Sequence, residues 1–384
     1  MVRRKKHLSL WITLIAFLLL TALFFTTAIS AANEIPRVTE YSRSRLSSGV
    51  PFSTYEKLPE AYREELAVYA ELNTEIAGEI GELKPVLINE NYFDVYGIHV
   101  GGSAITKEHI RKHIRAVIIS DQIALRMSLD GSVIGQTVPL FGQDFTVVGI
   151  YKKSDGFLHE ISSDIYDRVY IPYTCYDGYA DLSIDAIAAP KGSYSEKALP
   201  MLGLTETDPN FYLENDLATK HDMIAALPSL LIFMFTLILS AIIIKTLSRI
   251  IRKAYHKLHE DYQSNNMSAV LRNNWLYILS RITIITFLIA LPITLTLIFP
   301  PKLVIPPSYI PDDNIFDFTH YQEEFKYTLQ LFNTNLSNSY TYLNHFFIHS
   351  ISLLIPCGLI VIALFLLFMC TVSAMLRHSF YNKK

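Results

Sequence analysis

Four long apolar segments stand out in the pattern of hydrophobic and polar positions along the 384-residue chain. They cover Leu8–Ala32, Leu227–Ile244, Leu276–Phe299 and Phe346–Ala374, and no ionisable residue lies near the middle of any of them. A helix needs about 20 apolar residues to cross a bilayer, so the pattern predicts four transmembrane helices. Proton relays and ion pathways normally use ionisable residues inside the membrane, which argues against a secondary transporter or a channel.

The first apolar segment has two possible fates. Arg3 to Lys6 before it and the small residues of Ala28–Ala32 at its end have the outline of a secretory signal peptide. Its apolar run of about 22 residues or more is longer than the 7–15 residues of a signal-peptide core. We therefore expect a retained first span. The alternative, cleavage, would leave three spans and an external N-terminus.

The polar stretch between the first two apolar segments has the pattern of a mixed α+β domain. Ser53–Gly81 has apolar residues at helical spacing, with Ser53 and Glu56 as a capping box, and predicts an amphipathic helix. Lys107–Arg115 and Asp121–Ser128 also have helical composition. Short β-branched runs predict strands at Lys84–Ile88, Ala116–Ile119, Phe145–Tyr151 and Arg168–Pro172. Strands interleaved with short helices are typical of α+β domains.

The stretch before the last apolar segment, residues 300–345, allows two interpretations. Its first part is rich in proline and should be extended, and its second part is rich in Tyr and Phe. It is either a helix lying at the membrane surface, where aromatic rings are favoured, or a folded lid against the main domain.

The charged residues predict which way the chain crosses the membrane. Met1–His7, Lys245–Trp275 and Leu376–Lys384 together hold 13 Lys and Arg but only two acidic residues, Glu260 and Asp261. The other stretches between the apolar segments hold 34 acidic residues against 19 Lys and Arg. Because short cytoplasmic loops collect Lys and Arg, we predict that both termini are cytoplasmic and that the large domain lies outside.

Composition excludes several classes of function. The net charge of −3 is the sum of a basic inside and an acidic outside, and the acidic outside argues against a nucleic-acid partner. Cys175 is the only cysteine outside the apolar segments, so it cannot form a disulfide within its own domain. No phosphate-binding loop and no hydrolase motif is present. The histidines are not accompanied by a cluster of other metal ligands, so we expect no metal site. Because no catalytic motif is present, we also expect no catalytic residue and no cofactor.

Five sequence blocks occur in a recognisable order in the outer domain. They are Tyr92-Phe93 with Gly97, Ala116–Ala124 with Ser120, Val133–Val138 with Gly135, Phe145–Ile150 with Gly149, and Val169–Pro172 with Pro172 at its end. This series resembles the MacB-like periplasmic core domain of FtsX-like ABC transporter permeases. The block residues have scaffold chemistry: glycines permit turns at positive φ, β-branched runs form strands, and Ser120 is suited to cap the helix that follows it.

The resemblance implies a function. Such permeases have one span, a large outer domain and three further spans in a bacterial cytoplasmic membrane. They pair, usually as dimers, with a separate ATPase, whose ATP-driven closure is transmitted to the outer domain, a process called mechanotransmission. The complex then serves efflux, handles lipids, lipoproteins or peptides, or regulates the envelope. A second hypothesis is a membrane-anchored sensor or assembly scaffold that kept the fold without an ATPase.

The inner loop departs from the family pattern, which is the reason for the second hypothesis. Members usually carry glycines near the ATPase contact, whereas Leu247–Arg281 has none. We expect a basic amphipathic helix pair there. Its candidate ATPase-coupling residues are Arg249, Arg252, Lys253, Lys257 and Arg272. The alternative is that these side chains only satisfy the charge bias and contact anionic lipid.

These interpretations divide the chain into eight parts. The predicted parts are the N-terminal tail and first transmembrane helix (1–32), the MacB-like core domain (33–226), the second transmembrane helix (227–244), the basic cytoplasmic loop (245–275), the third transmembrane helix (276–299), the last outer loop (300–345), the fourth transmembrane helix (346–375) and the cytoplasmic tail (376–384).

Overall fold

The chain forms two compact units in a computed structural model. The helical unit comprises Met1–Ser30, Met223–Val304 and Ser352–Lys384, and the sheet unit comprises Ala31–Asp222 and Ile305–Ile351. The structure describes residues 2–43, 49–153, 158–159, 166–193, 202, 212–264, 267–305, 310–311, 314, 316–324, 326, 330 and 342–381.

Short helices lie between groups of strands in the sheet unit, and three long helices have residues in both units. The described helices are α1 (Val2–Glu34), α2 (Phe52–Glu56), α3 (Glu60–Arg63), α4 (Tyr92–Val95), α5 (Lys107–Arg111), α6 (Asp121–Met127), α7 (Leu217–Ser264), α8 (Met267–Ile298) and α9 (Tyr342–Tyr381). The strands are β1 (Val38–Arg43), β2 (Ala67–Glu71), β3 (Glu75–Ile76), β4 (Glu82–Ile88), β5 (Val100–Gly102), β6 (Ala116–Ser120), β7 (Thr137–Leu140), β8 (Gln143–Tyr151), β9 (Asp167–Pro172), β10 (Ala186–Pro190) and β11 (Tyr212–Asp216).

Four of these helices are long and apolar enough to cross a membrane. The qualifying segments are Leu10–Glu34 in α1, Leu217–Tyr262 in α7, Arg272–Ile298 in α8 and His345–Val372 in α9. The prediction of four apolar helices beside a mixed α/β domain is confirmed.

Aromatic rings pack α1, α7 and α9 together in the helical unit. The rings of Phe17, Phe235 and Phe365 lie with centroids 4.7–5.5 Å apart. Near them, a Cβ on Gly358 would lie 3.2 Å from a ring carbon of Phe24, so this glycine allows α9 to approach α1 closely. In contrast, no residue of Arg272–Ile298 in α8 is buried within the chain.

The sheet unit is built on one mixed sheet. The strand order is β11-β1-β10-β2-β4-β9-β6-β8-β5, with β3 paired to β4 and β7 paired to β8. The pairs β4–β9 and β6–β8 are parallel, and the other pairs are antiparallel. All four strands predicted from β-branched runs are present, and α5 and α6 begin where helical composition predicted them.

The two faces of the sheet carry different side chains. Val68 and Ala70 of β2 belong to the main hydrophobic core, which also includes side chains of α2 and α6. Tyr69 between them points to the opposite face, because successive side chains in a strand alternate. There its ring packs 5.6 Å from that of Tyr92 in α4. One face is therefore mainly aliphatic and the other is rich in tyrosine.

The predicted amphipathic helix over Ser53–Gly81 is wrong. Its place is taken by α2, α3, β2 and β3. Pro59 lies between the two short helices and caps α3, and all of β2 up to Ala70 is buried. A strand covered on both faces has a continuous apolar run without alternation, and this run coincided with helical spacing. The capping box is wrong too, because Pro51 is the N-cap of α2 and no side chain caps it.

The last outer stretch belongs to the sheet unit from Ile305 onward. Residues 318–324 are helical, and the side chains of Phe316 and Phe318 are exposed. Pro306, Pro307 and most of residues 327–341 lie outside the described residues. The surface-helix and lid interpretations both remain predictions.

Asn89 is a polar group inside the core on which several elements depend. It is completely buried. Its Nδ2 donates to the Leu66 carbonyl at 2.6 Å and to the Tyr55 hydroxyl at 2.9 Å, and its Oδ1 accepts from the Val68 amide at 3.2 Å. The amide therefore joins the end of β4 to β2 and α2.

Asn89→Ala should destabilise the sheet unit by roughly 2–4 kcal/mol, because it leaves three buried polar groups without this partner. The thermal melting temperature of the full-length protein in detergent should fall by several degrees. Gln122→Ala, at an exposed position of α6, is the matched control and should stay close to the wild-type value. An unchanged melting temperature for Asn89→Ala would contradict this role.

Candidate functional site

The edge of the sheet is joined directly to two of the long helices. Only three residues separate the end of α1 from β1, and β11 runs into α7 without a linker. β1 and β11 pair antiparallel, with Thr39 opposite Asp216. The start of β1 and the end of β11 therefore lie side by side, which brings the end of α1 next to the start of α7.

Polar contacts reinforce this junction. The Nδ1 atom of His221 lies 2.9 Å from the Ile35 carbonyl oxygen, and Arg37 forms an ion pair with Asp222 at 3.1 Å. The Arg37 pair is exposed, so it contributes little stability. These contacts give His221 and Asp222 a structural role at the junction.

Asp216 caps the start of α7. Its carboxylate accepts from the Thr219 amide at 2.9 Å and from the Lys191 ammonium at 2.6 Å. Burial acts to raise the pKa of Asp216, but the bonds from Lys191 and Thr219 outweigh it, and the pKa lies below its usual value. An ionised carboxylate is favourable at the N-terminus of a helix, so the strand-to-helix transition is well defined.

A buried polar cluster lies just inside this junction. We call Glu40, Tyr96, Asn215 and Lys220 the edge cluster. Glu40 is completely buried and accepts from the Tyr96 hydroxyl at 2.7 Å and from Asn215 Nδ2 at 3.3 Å. The Lys220 ammonium donates to Asn215 Oδ1 and lies 5.3 Å from the ring centroid of Phe347 in α9.

A cavity of about 160 Å³ lies on the tyrosine-rich face of the sheet. Tyr342 at the start of α9 lines it, and the Tyr342 hydroxyl hydrogen-bonds to His159. Burial raises the pKa of several of the tyrosines, so their hydroxyls stay neutral donors. The tyrosines that line it are Tyr69, Tyr92, Tyr96, Tyr151, Tyr166, Tyr170 and Tyr342.

Ion pairs hold the charged rim of this cavity. Glu71 bonds to Arg168 at 2.9 Å and to Lys84 at 2.5 Å. Burial acts to raise the pKa of Glu71, but the two cations outweigh it and the pKa is lowered. The charges on the rim are therefore largely satisfied within the chain.

A second, larger cleft lies among the short helices. It measures about 710 Å³ and is lined by carboxylates, basic side chains and the rings of Tyr55, Tyr173 and Tyr179. The Tyr173 hydroxyl donates to Glu56 at 3.2 Å, and Lys107 pairs with Glu60 and Glu64. The side chains that line the cleft carry both positive and negative charges, so the lining does not favour ligands of one charge over the other.

The candidate coupling residues lie on a helical hairpin in the helical unit. α7 continues to Ser264 and α8 begins at Met267. The five basic residues predicted for coupling are all exposed. Lys257 lies 4.0 Å from the ring centroid of Tyr277, and Asn274 Nδ2 donates to Asp261 at 2.9 Å. The residues concerned are Arg249, Arg252, Lys253, Lys257 and Arg272.

An apolar groove of about 300 Å³ runs along the hairpin. It lies between the part of α7 around Leu258 and the part of α8 around Ile278 and Ile282. The hairpin therefore presents exposed basic side chains beside an apolar surface.

Among the described residues, no group of three or more His, Cys, Asp or Glu is placed to hold a metal ion. The three cysteines are free thiols, and burial raises the pKa of Cys175 to about 11. A thiol with a raised pKa is a poor nucleophile. None of these groups forms a site for metal or thiol chemistry in the described part of the chain.

Residues 12–196 match the family described as the MacB-like periplasmic core domain. The chain carries a MacB-like periplasmic core domain. The recognition made from the ordered blocks is confirmed, and the chain also has four helices that are long and apolar enough to cross a membrane. No curated protein sequence matches the chain.

Three solved structures are similar to this chain. The periplasmic region of MacB from Actinobacillus actinomycetemcomitans is 14% identical over 49% of this chain and 92% of its own, with a TM-score of 0.37. The extracellular domain of the noncanonic ABC-type transporter YknZ from Gram-positive bacteria is 16% identical over 43% and 88%, with a TM-score of 0.31. A domain of a putative permease from Porphyromonas gingivalis is 16% identical over 48% and 90%, with a TM-score of 0.31.

The block residues of the MacB-like domain occupy scaffold positions. Tyr92 and Phe93 are buried in α4, and Gly97 follows that helix at φ +66°. Ser120 Oγ accepts from the Ile123 amide at 3.2 Å and caps α6, as predicted. Pro172 ends β9 opposite Ile88. These residues shape the sheet unit.

The glycines of the MacB-like domain differ in what they permit. Gly135 has φ +90° and open space around it, so only its backbone conformation demands glycine. At position 149 glycine is required because there is no space for a side chain. A Cβ there would lie 2.5 Å from the Ser103 carbonyl oxygen and 2.6 Å from a methyl of Val100. Gly149 therefore lets β5 pack against β8.

The edge cluster was missed by sequence reasoning. Glu40 lies between Thr39 and Tyr41 in β1, a largely polar strand, and Lys220 is one basic residue before a long apolar segment. Residues of these types at such positions are usually exposed. Only the pairing of β1 with β11 brings the two residues into one cluster.

Gly149→Ala should lower the free energy of unfolding by about 2–3 kcal/mol, because the new methyl group meets backbone that cannot move independently. Gly101→Ala in the paired strand is the matched control, since its Cβ would meet nothing closer than 3.6 Å, and it should cost less than about 1 kcal/mol. The melting temperatures of the two full-length variants measure the difference. Equal losses would mean that the close approach of β5 to β8 is not what Gly149 provides.

Proposed function

We propose that this chain is a non-catalytic permease subunit of a bacterial ABC complex of the MacB/FtsX type. A separate ATPase hydrolyses ATP, and the resulting movement passes through the membrane helices to the MacB-like domain. The observation that carries the proposal is the direct junction of β1 and β11 with α1 and α7. Because β11 continues into α7 and only three residues separate α1 from β1, the proposal is that movement of either helix is passed on to the sheet.

The length of α7 supports the same mechanism. Its 48 residues extend for roughly 72 Å at 1.5 Å per residue, and only about 20 residues are needed to cross a bilayer. One helix can therefore connect the sheet edge to the hairpin with α8. A force applied near Ser264 would reach the sheet edge along this one helix, which contains Pro228 and therefore lacks one backbone hydrogen bond near its start.

The hairpin is the proposed contact for the ATPase. Its exposed basic residues and apolar groove offer both charge and hydrophobic surface to a protein partner. The charge bias of the sequence predicts that this hairpin and both termini are cytoplasmic, where an ATPase has access to ATP. Two permease chains are expected in the complex, as is usual in the family.

The competing proposal is a membrane-anchored sensor or scaffold without an ATPase. The glycine-free hairpin favours it, because family members usually carry glycines near the ATPase contact. In that case the basic side chains would contact anionic lipid only.

The test is a pull-down of the tagged full-length chain in mild detergent, with and without trapped ATP, followed by mass spectrometry. We expect an ATPase subunit to be recovered with the wild-type chain. The triple variant Arg249→Glu, Arg252→Glu, Lys253→Glu should lose most of it, because charge reversal at an interface repels a complementary surface. The triple variant Arg111→Glu, Lys112→Glu, Arg115→Glu, at exposed positions of the sheet unit, should retain it.

Two results would contradict the proposal. Recovery of envelope proteins alone from wild-type membranes would favour the scaffold. Undiminished ATPase recovery with the hairpin variant would show that the ATPase contact lies elsewhere on the chain.

A further inference from the structure

The edge cluster links residues next to three of the long helices, α1, α7 and α9. Glu40 is in β1, which follows α1, and Asn215 is in β11, which precedes α7. Lys220 is in the first turn of α7, and it contacts Phe347 near the start of α9. Tyr96 follows α4 on the tyrosine-rich face and completes the cluster through its bond to Glu40.

The charges in this cluster require their partners. Glu40 has no exposed surface, and burying an ion costs several kcal/mol unless hydrogen bonds and opposite charge compensate. The compensation comes from different elements: Tyr96 beside α4, Asn215 in β11, and the electrostatic attraction of Lys220 in α7. Asp216, in the cap of α7, is the other acidic group that acts on Lys220.

The cluster is complete only while these elements keep their present positions. A shift of α7 along its axis would draw Lys220 away from Asn215 and Glu40, and a shift of α9 would remove Phe347 from the ammonium. A shift of α7 therefore separates Glu40 from its opposite charge, and a shift of α9 removes the ring that faces the ammonium. Because each change weakens the compensation of a charge that is removed from water, the cluster favours the present positions of both helices.

We infer that Lys220 and Glu40 are positioning residues that hold α7 and α9 on the sheet edge, so that these helices and the sheet move together. This inference rests on the proposed function, because it names the contact through which the MacB-like domain receives the movement. The exposed Arg37–Asp222 pair, at the same junction, is too well solvated to serve this purpose.

The test compares Lys220→Met with wild type in the full complex reconstituted in lipid nanodiscs. Two quantities are measured: the rate of ATP hydrolysis, and the change in hydrogen exchange of β1 and β11 caused by trapped nucleotide. In wild type we expect a nucleotide-dependent change. In Lys220→Met we expect hydrolysis to continue while that change falls by at least about fivefold, the low end of typical coupling between sites. Lys57→Met, at an exposed site of the sheet unit, is the matched control and should behave as wild type.

A second variant separates positioning from stability. Glu40→Gln combined with Lys220→Met removes both charges, so no buried ion is left alone and the melting temperature should recover towards wild type. The nucleotide-dependent exchange should nevertheless stay reduced, because the link from α7 to β1 is gone. Lys220→Arg keeps the charge and should restore part of the response. If Lys220→Met does not fold, the double variant and Lys220→Arg decide the question.

The outcomes distinguish the two proposals. If wild type binds no ATPase or shows no nucleotide-dependent exchange, the proposed function fails. If wild type responds and Lys220→Met or the double variant responds equally, the proposed function stands and the positioning role of the edge cluster is overturned.

Discussion

Backbone pairing between β1 and β11 is the constraint on which the rest of the structure depends. The two strands are far apart in sequence, and their register sets the end of α1 beside the start of α7. The contacts of His221 with Ile35, the cap at Asp216 and the edge cluster all exist because this register holds. A shift of one residue would turn Glu40 and Tyr41 to the wrong faces of the sheet, and the buried carboxylate would lose its partners.

Burial of both faces of the sheet explains much of the remaining architecture. The aliphatic face packs against the short helices, and the tyrosine-rich face packs against α4 and the start of α9. Tyrosine suits the second face because its ring packs like an apolar group while its hydroxyl bonds to buried acceptors, as Tyr96 does with Glu40. Packed side chains therefore cover parts of both faces of the sheet.

Polar groups inside the sheet unit are placed where elements meet. Asn89 joins β4, β2 and α2, and Asp185 accepts from Arg43 of β1 and from the Glu71 amide of β2. Glu40 does the same for β1, β11 and α4. Each group is satisfied by partners from several elements, so each specifies one arrangement more strongly than apolar packing alone would.

The sequence by itself determined the four apolar helices, the mixed α/β domain, the ordered blocks that resemble a MacB-like core domain, and four of the eleven described strands. These features depend on local properties: run length, β-branched composition, and glycines such as Gly97 whose conformation few other residues adopt. It also located Ser120 as a cap, since a cap depends on residues only three positions apart. Only the tertiary structure decided that Ala67–Glu71 is a strand and that Glu40 and Lys220 belong to one cluster. The reason is physical: a strand covered on both faces has no periodicity of its own, and a buried charge is tolerated only through partners that distant parts of the chain supply.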